Sequence, residues 1–263
     1  MLAGCVSAKP IGPVALTFEK ADVRISRNVV KKYKLNLPAA YTRARAAAKN
    51  DAWPNIYKAR LEELAAKVPV GVKLPVIVYF HGCAGFLSAS GMHMNWLERL
   101  DDFITIGPNS FARTRPAYCF GDYTVDESIW SLVSSMRMAE IDYALDRLAA
   151  LPWVDLGNIF LMGHSQGGGT VAGYDGPVKV RGRIMLNGAC SWRIGGNGAA
   201  SDEALLTFDT GRDPWFRVYD SRCREYVLNH PNGKSVYDMK SMSHNLVLQH
   251  WPKVREFLKK NLH

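Results

Sequence analysis

From residue 74 onward, short apolar runs alternate with longer segments that are apolar on one side only. Pro75-Val76-Ile77-Val78-Tyr79-Phe80 is a continuous β-branched and aromatic run, the pattern of a central strand buried on both faces. Ile104–Ile106, Asn158–Met162, Arg183–Leu186 and Leu205–Phe208 are shorter runs of the same kind, and Ser235–Met239 is a weaker last one. Between them, Gly91–Phe103 reads as a helix. A long helix opens at the capping box Thr124-x-x-Glu127 and ends near Pro152. Ile129, Leu132, Val133, Met136, Ile141, Leu145 and Leu148 give it one buried stripe. A closing helix from about Val247 to Leu262 carries Val247, Trp251, Val254 and Leu258 at helical spacing. Upstream, Val14–Lys20 alternates like a short strand. The Ala-rich stretch Ala39–Lys67 favours helix, divided at Pro54 because proline lacks the amide proton.

Strands alternating with helices at this rhythm predict an α/β fold, with a mostly parallel sheet covered on both faces. No internal repeat or low-complexity tract breaks it, and nothing between residues 70 and 263 reads as a linker. Residues 1–69 are expected to form a basic helical N-terminal segment packed on the core rather than a domain, and 70–263 the core itself. A hydrophobic fraction of 48% and a charged fraction of 22% are those of an ordinary globular protein. No apolar run approaches the roughly 18 residues of a membrane-spanning helix.

The formal charge of +9 changes the picture only locally. Residues 1–70 hold 13 Lys/Arg against 5 Asp/Glu, a net of +8, and the rest is nearly balanced. Such a flank can hold an anionic partner, but Lys31, Lys32, Lys34, Arg43, Arg45, Lys49, Lys58 and Arg60 are spread as on solvated helix faces. No nucleic-acid partner is expected.

The chemistry centres on Gly163-His164-Ser165-Gln166-Gly167. An apolar strand runs into it and the small-residue stretch Gly167–Ala172 follows, the setting in which a tight strand-to-helix turn pushes a serine out over the end of a sheet. That setting resembles the nucleophile elbow of an α/β-hydrolase fold, which is the fold expected. A serine hydroxyl needs a base to take its proton, and in this fold the order is Ser, acid, His. Of His230, His244 and His250, His244 follows the last predicted strand and precedes the final helix, so it is the expected base. Asp213, beyond the strand Leu205–Phe208, is preferred as the acid over Asp209. The oxyanion donors are expected to be the backbone amides of Gln166 and Cys83, the latter in the loop His81-Gly82-Cys83-Ala84-Gly85. Phe86, Phe111, Arg113 and Trp215 are candidate pocket walls, each with core packing or a solvated charge as the alternative. Triad chemistry uses protein groups alone, so no metal or organic cofactor is expected.

Val78–Gly85, Pro108-Asn109-Ser110-Phe111-Ala112-Arg113, the elbow, and Gly211-Arg212-Asp213-Pro214-Trp215 together resemble the dienelactone hydrolase family over roughly residues 70 to 263. Cys223 shortly behind that last element adds to the preference for Asp213. The resemblance implies a serine esterase acting through an acyl-enzyme on small carboxylic esters or lactones. The enzymes that name the family carry a cysteine nucleophile, and Ser165 stands in its place. The alternative is a non-catalytic binding protein of the cell envelope that keeps the fold and uses its basic N-terminal region.

Five cysteines, with no C-x-x-C pair, do not form a zinc or redox motif. Leu2-Ala3-Gly4-Cys5 resembles a lipoprotein lipobox, although only Met1 precedes it. A lipidated Cys5 implies the periplasm or cell envelope and membrane attachment; without it a cytoplasmic location is expected. An oxidising compartment permits two disulfides among the other four, Cys190–Cys223 and Cys83–Cys119 being the expected pairs.

Overall fold

A computed structural model describes residues 12–35, 57–58, 61–86, 89–100, 102–115, 127–188, 190, 198–214, 223–245 and 248–263. They build one sheet from β1 (Asp22–Ile25), β2 (Tyr57–Lys58), β3 (Leu74–Phe80), β4 (Ile104–Gly107), β5 (Val154–His164), β6 (Gly182–Leu186), β7 (Ala204–Thr210) and β8 (Gly233–Asp238). The order is β2-β1-β4-β3-β5-β6-β7-β8. From β4 to β8 every pairing is parallel, and β1 adds antiparallel to β4 and β2. The helices are α1 (Ala15–Glu19), α2 (Arg27–Lys32), α3 (Leu61–Ala65), α4 (Ala89–Leu97), α5 (Glu127–Ala149), α6 (Gln166–Gly173), α7 (Arg224–Leu228) and α8 (Trp251–Asn261).

Alternation along the central strands divides the core into two layers. Val76, Val78 and Phe80 of β3, with Ile159 and Leu161 of β5, face Ile141, Leu145 and Leu148 of α5 and Val171 of α6. Ile77 and Tyr79, with Phe160 and Met162, face Met94 and Leu97 of α4 and Val254 and Leu258 of α8. All seven residues of β3 are buried, and each large apolar side chain so placed contributes about 1.5–3 kcal/mol relative to exposure. The α/β architecture expected from the sequence is the one observed.

Several local expectations are corrected. Val14–Lys20 contains the helix α1, not a strand; Thr17 and Phe18 are buried side by side, which alternation forbids. The helix expected at Gly91–Phe103 is α4, two residues earlier and ending at Leu97. On α5, Ile129 and Leu132 are 36% and 40% exposed, so the buried stripe begins only at Val133. Within Ala39–Lys67 the described residues hold strand β2 as well as helix α3; Thr124 of the expected capping box lies outside the described residues.

The edge strand β1 enters the sheet with a buried arginine. Arg24 bonds Asp22 at 2.7 Å and Asn95, and Glu98 stands 3.7 Å away. Because Asp22 already engages the guanidinium, Arg24 offsets only part of the burial of Glu98, whose carboxyl is pushed up to about 8 by burial. The folded state therefore keeps a proton that the unfolded chain releases near pH 4.5, and this contribution to stability is lost as pH rises from there through 8. Glu98→Gln is expected to remove that decline, so its Tm should exceed that of the native chain at pH 9 and match it near pH 5; equal Tm at both would refute the assignment.

Cys190 and Cys223 form a disulfide, with Cα atoms 4.7 Å apart and a sequence separation of 33. It ties the segment after β6 to the head of α7. A closed loop of this length is worth about 3–4 kcal/mol. Cys223→Ser should lower the stability in denaturant titration by that amount; a shift below about 1 kcal/mol would contradict it. Cys83 is also disulfide-bonded, and its expected pairing with Cys119 falls outside the described residues, as does Cys5. No helix among the described residues is long and apolar enough to cross a membrane.

Candidate active site

The chain runs outward from β3 in opposite directions, to β4 on one side and β5 on the other. This is the switch point at which an open parallel sheet leaves a crevice beyond its strand ends. The segments after β3, β5, β7 and β8 all emerge at that edge. They carry, in order, the Cys83 loop, Ser165, Asp213 and His244.

Ser165 stands between β5 and α6 at φ 54° and ψ −118°, a conformation side chains rarely adopt and that persists only where the surroundings enforce it. Its amide donates to the Leu186 carbonyl at 2.9 Å, and its own carbonyl accepts from the Gly169 amide at 3.1 Å. The flanking glycines are sterically required: a Cβ on Gly163 would lie 2.1 Å from the Gly167 carbonyl oxygen, and one on Gly167 2.1 Å from that of Phe80. Gln166 opens α6, so its amide has no acceptor within the helix.

Asp213 and His244 are brought together. The His244 ring donates from Nδ1 to Asp213 Oδ2 at 2.6 Å, leaving the Nε2 lone pair as the basic position. The Asp213 side chain is fully buried, whereas 16% of the His244 side chain is exposed. The loop bearing His244 is pinned by Thr210 Oγ1, which donates to the Ser243 carbonyl at 2.7 Å, and by the Arg212 amide, which donates to Ser241 at 3.1 Å. The other candidates are engaged elsewhere. Asp209 lies within β7 and accepts from the Thr207 hydroxyl at 2.9 Å. His230 sits in the turn before β8 against the Ala200 carbonyl, and His250 faces Asp238 at 3.2 Å.

The loop after β3 runs directly against the elbow: a Cβ on Gly82 would come within 3.4 Å of Ser165 Cβ. The polar groups of this loop are tied down from behind. The Ser110 amide donates to His81 Nε2 at 3.1 Å, so Nδ1 carries the proton and donates to the Gly82 carbonyl at 2.6 Å. Arg137 donates to the His81 carbonyl at 2.7 Å, and the Gly82 amide donates to Ser90 Oγ at 3.1 Å. Burial, reinforced by the Arg137 charge, holds His81 well below the usual histidine range, so it stays neutral. Glu140 accepts from Ser110 Oγ at 2.7 Å and from Arg113 at 2.9 Å.

This places the candidate wall residues differently from one another. Phe111 is 42% exposed and stacks on His81 at 5.6 Å, with Phe86 edge-on to the same ring at 4.9 Å. Arg113 is corrected: its side chain is buried and bonded to Glu140 and the Met136 carbonyl, a core role rather than a wall. Trp215 lies outside the described residues. Arg137 and Glu140 were not singled out from the sequence, yet a signal existed. They fall on the apolar face of α5, among Val133, Met136 and Ile141, where a charged residue needs a buried partner. Among the described residues no group of three or more His, Cys, Asp or Glu is arranged to hold a metal ion.

No protein-family model matches the chain, and no curated protein matches it in sequence. Solved structures do match. A phospholipase/carboxylesterase from Dyadobacter fermentans superimposes with a TM-score of 0.54 at 18% identity, over 73% of this chain and 93% of that one. The esterase PE8 gives a TM-score of 0.52 at 16% identity, over 73% and 95%. P91, a dienelactone hydrolase-like promiscuous phosphotriesterase from metagenomic libraries, gives 0.52 at 15% identity, over 73% and 89%. With the sheet order and the elbow, these likenesses identify the architecture: the chain has the α/β-hydrolase fold, in the form shared with dienelactone hydrolase-like proteins and small carboxylesterases.

Proposed function

We propose that the chain hydrolyses small or medium carboxylic esters, and lactones next, with Ser165 as nucleophile, His244 as base and Asp213 as the group that orients it. The observation that carries this reading is the 2.6 Å bond from His244 Nδ1 to Asp213, at the sheet edge that presents Ser165 in its strained turn. The similarity of the fold to esterases supports the substrate class.

In this mechanism Ser165 Oγ attacks the ester carbonyl carbon while its proton passes to His244 Nε2. The carbonyl π electrons move onto oxygen, where the Cys83 and Gln166 amides stabilise the charge. Collapse of the tetrahedral species breaks the C–O bond, and the departing alkoxide takes the proton from His244. Water then attacks the acyl-Ser165 ester, gives a proton to His244 and releases the acid, restoring the serine. The buried Asp213 carboxylate stabilises the imidazolium formed in each half.

The test is turnover of a p-nitrophenyl ester series, acetate to octanoate, with fluorophosphonate labelling and mapping of the modified peptide. Turnover with the label on Ser165 supports the reading. No turnover and no label, or a label elsewhere, overturns it in favour of a binding protein.

A further inference from the structure

We infer that His164, the residue before the nucleophile, is a positioning residue that holds the base from its main-chain side through a hydrogen bond from its Nε2 to the His244 carbonyl. The inference rests on the proposed roles of Ser165, His244 and Asp213, and adds a part that those roles do not require.

The bond is 2.8 Å long. A carbonyl oxygen only accepts, so Nε2 carries the proton and Nδ1 is left bare. That Nδ1 is buried without a hydrogen-bond partner, which is unfavourable for a buried polar atom. An apolar side chain at the x position of the elbow would avoid it. The one polar contact His164 makes among the described residues is therefore what sets it apart from a packing residue, and that contact is to the residue expected to act as base.

The geometry gives the contact a mechanical meaning. His244 lies on an irregular segment between β8 and α8, and Asp213 fixes one corner of its ring. Thr210 and Arg212 hold the neighbouring Ser243 and Ser241. The His164 bond grips the main chain of His244 itself, with the two rings 5.0 Å apart. His164 is the last residue of β5 and is joined covalently to Ser165. The position of the base is thus referenced to the same rigid strand end that sets the nucleophile. Behind His164 stands the ring of His93, edge-on at 4.9 Å, which restrains its rotation and is itself bonded to the Tyr79 hydroxyl at 2.9 Å. Burial and the neighbouring His244 hold His164 down to about 3, so it remains an uncharged donor while His244 takes and returns its proton.

The experiment compares His164→Phe, which keeps a ring and loses the donor, with His164→Gln, whose side-chain amide can donate to the same carbonyl. Both are measured beside the native chain and Ser165→Ala. Folding is checked by circular dichroism, and kcat, KM and the fluorophosphonate labelling rate are determined on p-nitrophenyl acetate. The Phe variant is expected to lose about 10- to 100-fold in kcat and labelling rate with KM within about twofold, the scale of a misplaced catalytic group. The Gln variant should recover to within a few-fold of native. If Phe does not fold, His164→Asn, whose shorter amide falls short of the carbonyl, replaces it. Native kcat in a folded Phe or Asn variant, or equal losses in that variant and Gln, overturns the inference alone when Ser165→Ala is dead. Hydrolysis that survives Ser165→Ala overturns the underlying triad and the inference with it.

Discussion

Ser165→Ala is expected to lower kcat for p-nitrophenyl esters by about four to six orders of magnitude while leaving the fold intact. The serine side chain is not a cap of α6, and alanine retains the backbone and most of the volume at the strained position, so loss of structure is not a route to loss of rate. His244→Ala should cost nearly as much, because without a base the hydroxyl is not activated. Asp213→Asn should cost somewhat less, and the double variant Ser165→Ala with His244→Ala no more than Ser165→Ala alone. That non-additivity distinguishes a unit acting together from three residues that each support folding. Losses that multiply, or a Ser165→Ala protein that still turns over, would count against the assignment.

Acid should destabilise the protein early, beginning as the pH falls below 6.5. His81, His93 and His164 are all buried, and burial is the largest cause of the depressed basicity of each; Arg137 adds to it at His81, His164 and His244 at His93, and His244 at His164. In the folded state all three stay neutral well below 6.5, and His164 down to about 3. The unfolded chain takes up these protons near 6.5, so the stability the three histidines contribute is full above that pH and is lost as pH falls below it. Each proton adds about 1.4 kcal/mol per pH unit to the slope, so the three histidines together contribute up to about 4 kcal/mol per unit, against which the raised Glu98 carboxyl works in the opposite sense down to 4.5. Two units of such a decline remove several kcal/mol from a reserve of about 5–15 kcal/mol. Stability measured in denaturant at pH 7, 6, 5 and 4.5 checks this, and His93→Phe should flatten the curve by about a third if it folds. Stability independent of pH down to 4.5 would show that the three histidines titrate normally.

What could be read from the sequence follows from how much surrounding structure each feature needs. The strand β3 is legible because seven consecutive buried residues leave no other reading. That Asp213 and His244 meet at 2.6 Å is foreshadowed by their positions just past strand ends, where a residue has few places to go. Arg24 concealed β1, because its burial depends on Asp22, Asn95 and Glu98, the last two some 70 residues away. The error at Ile129 and Leu132 has a geometric cause. Twenty-three helical residues extend about 35 Å, whereas the seven of β3 extend about 23 Å. The helix outruns the sheet it packs on, so its first turns keep the stripe without a surface to cover it. The role of Arg137 needed the third dimension, because the carbonyl it holds belongs to His81, 56 residues earlier.

The register of the central strands also governs how the chain must be made. Val78 pairs with Leu161, and Phe80 with Gly163, so the middle of the sheet cannot close until a partner roughly 80 residues downstream has left the ribosome. At about 5–20 residues per second, β3 waits some 4 to 16 seconds for its β5 partner. β4 is the first parallel partner to arrive, and β1, already synthesised, can shield the far side of β4 but not β3. Yield on expression should therefore depend on temperature and on chaperones that hold extended apolar segments more than on the stability of the finished fold.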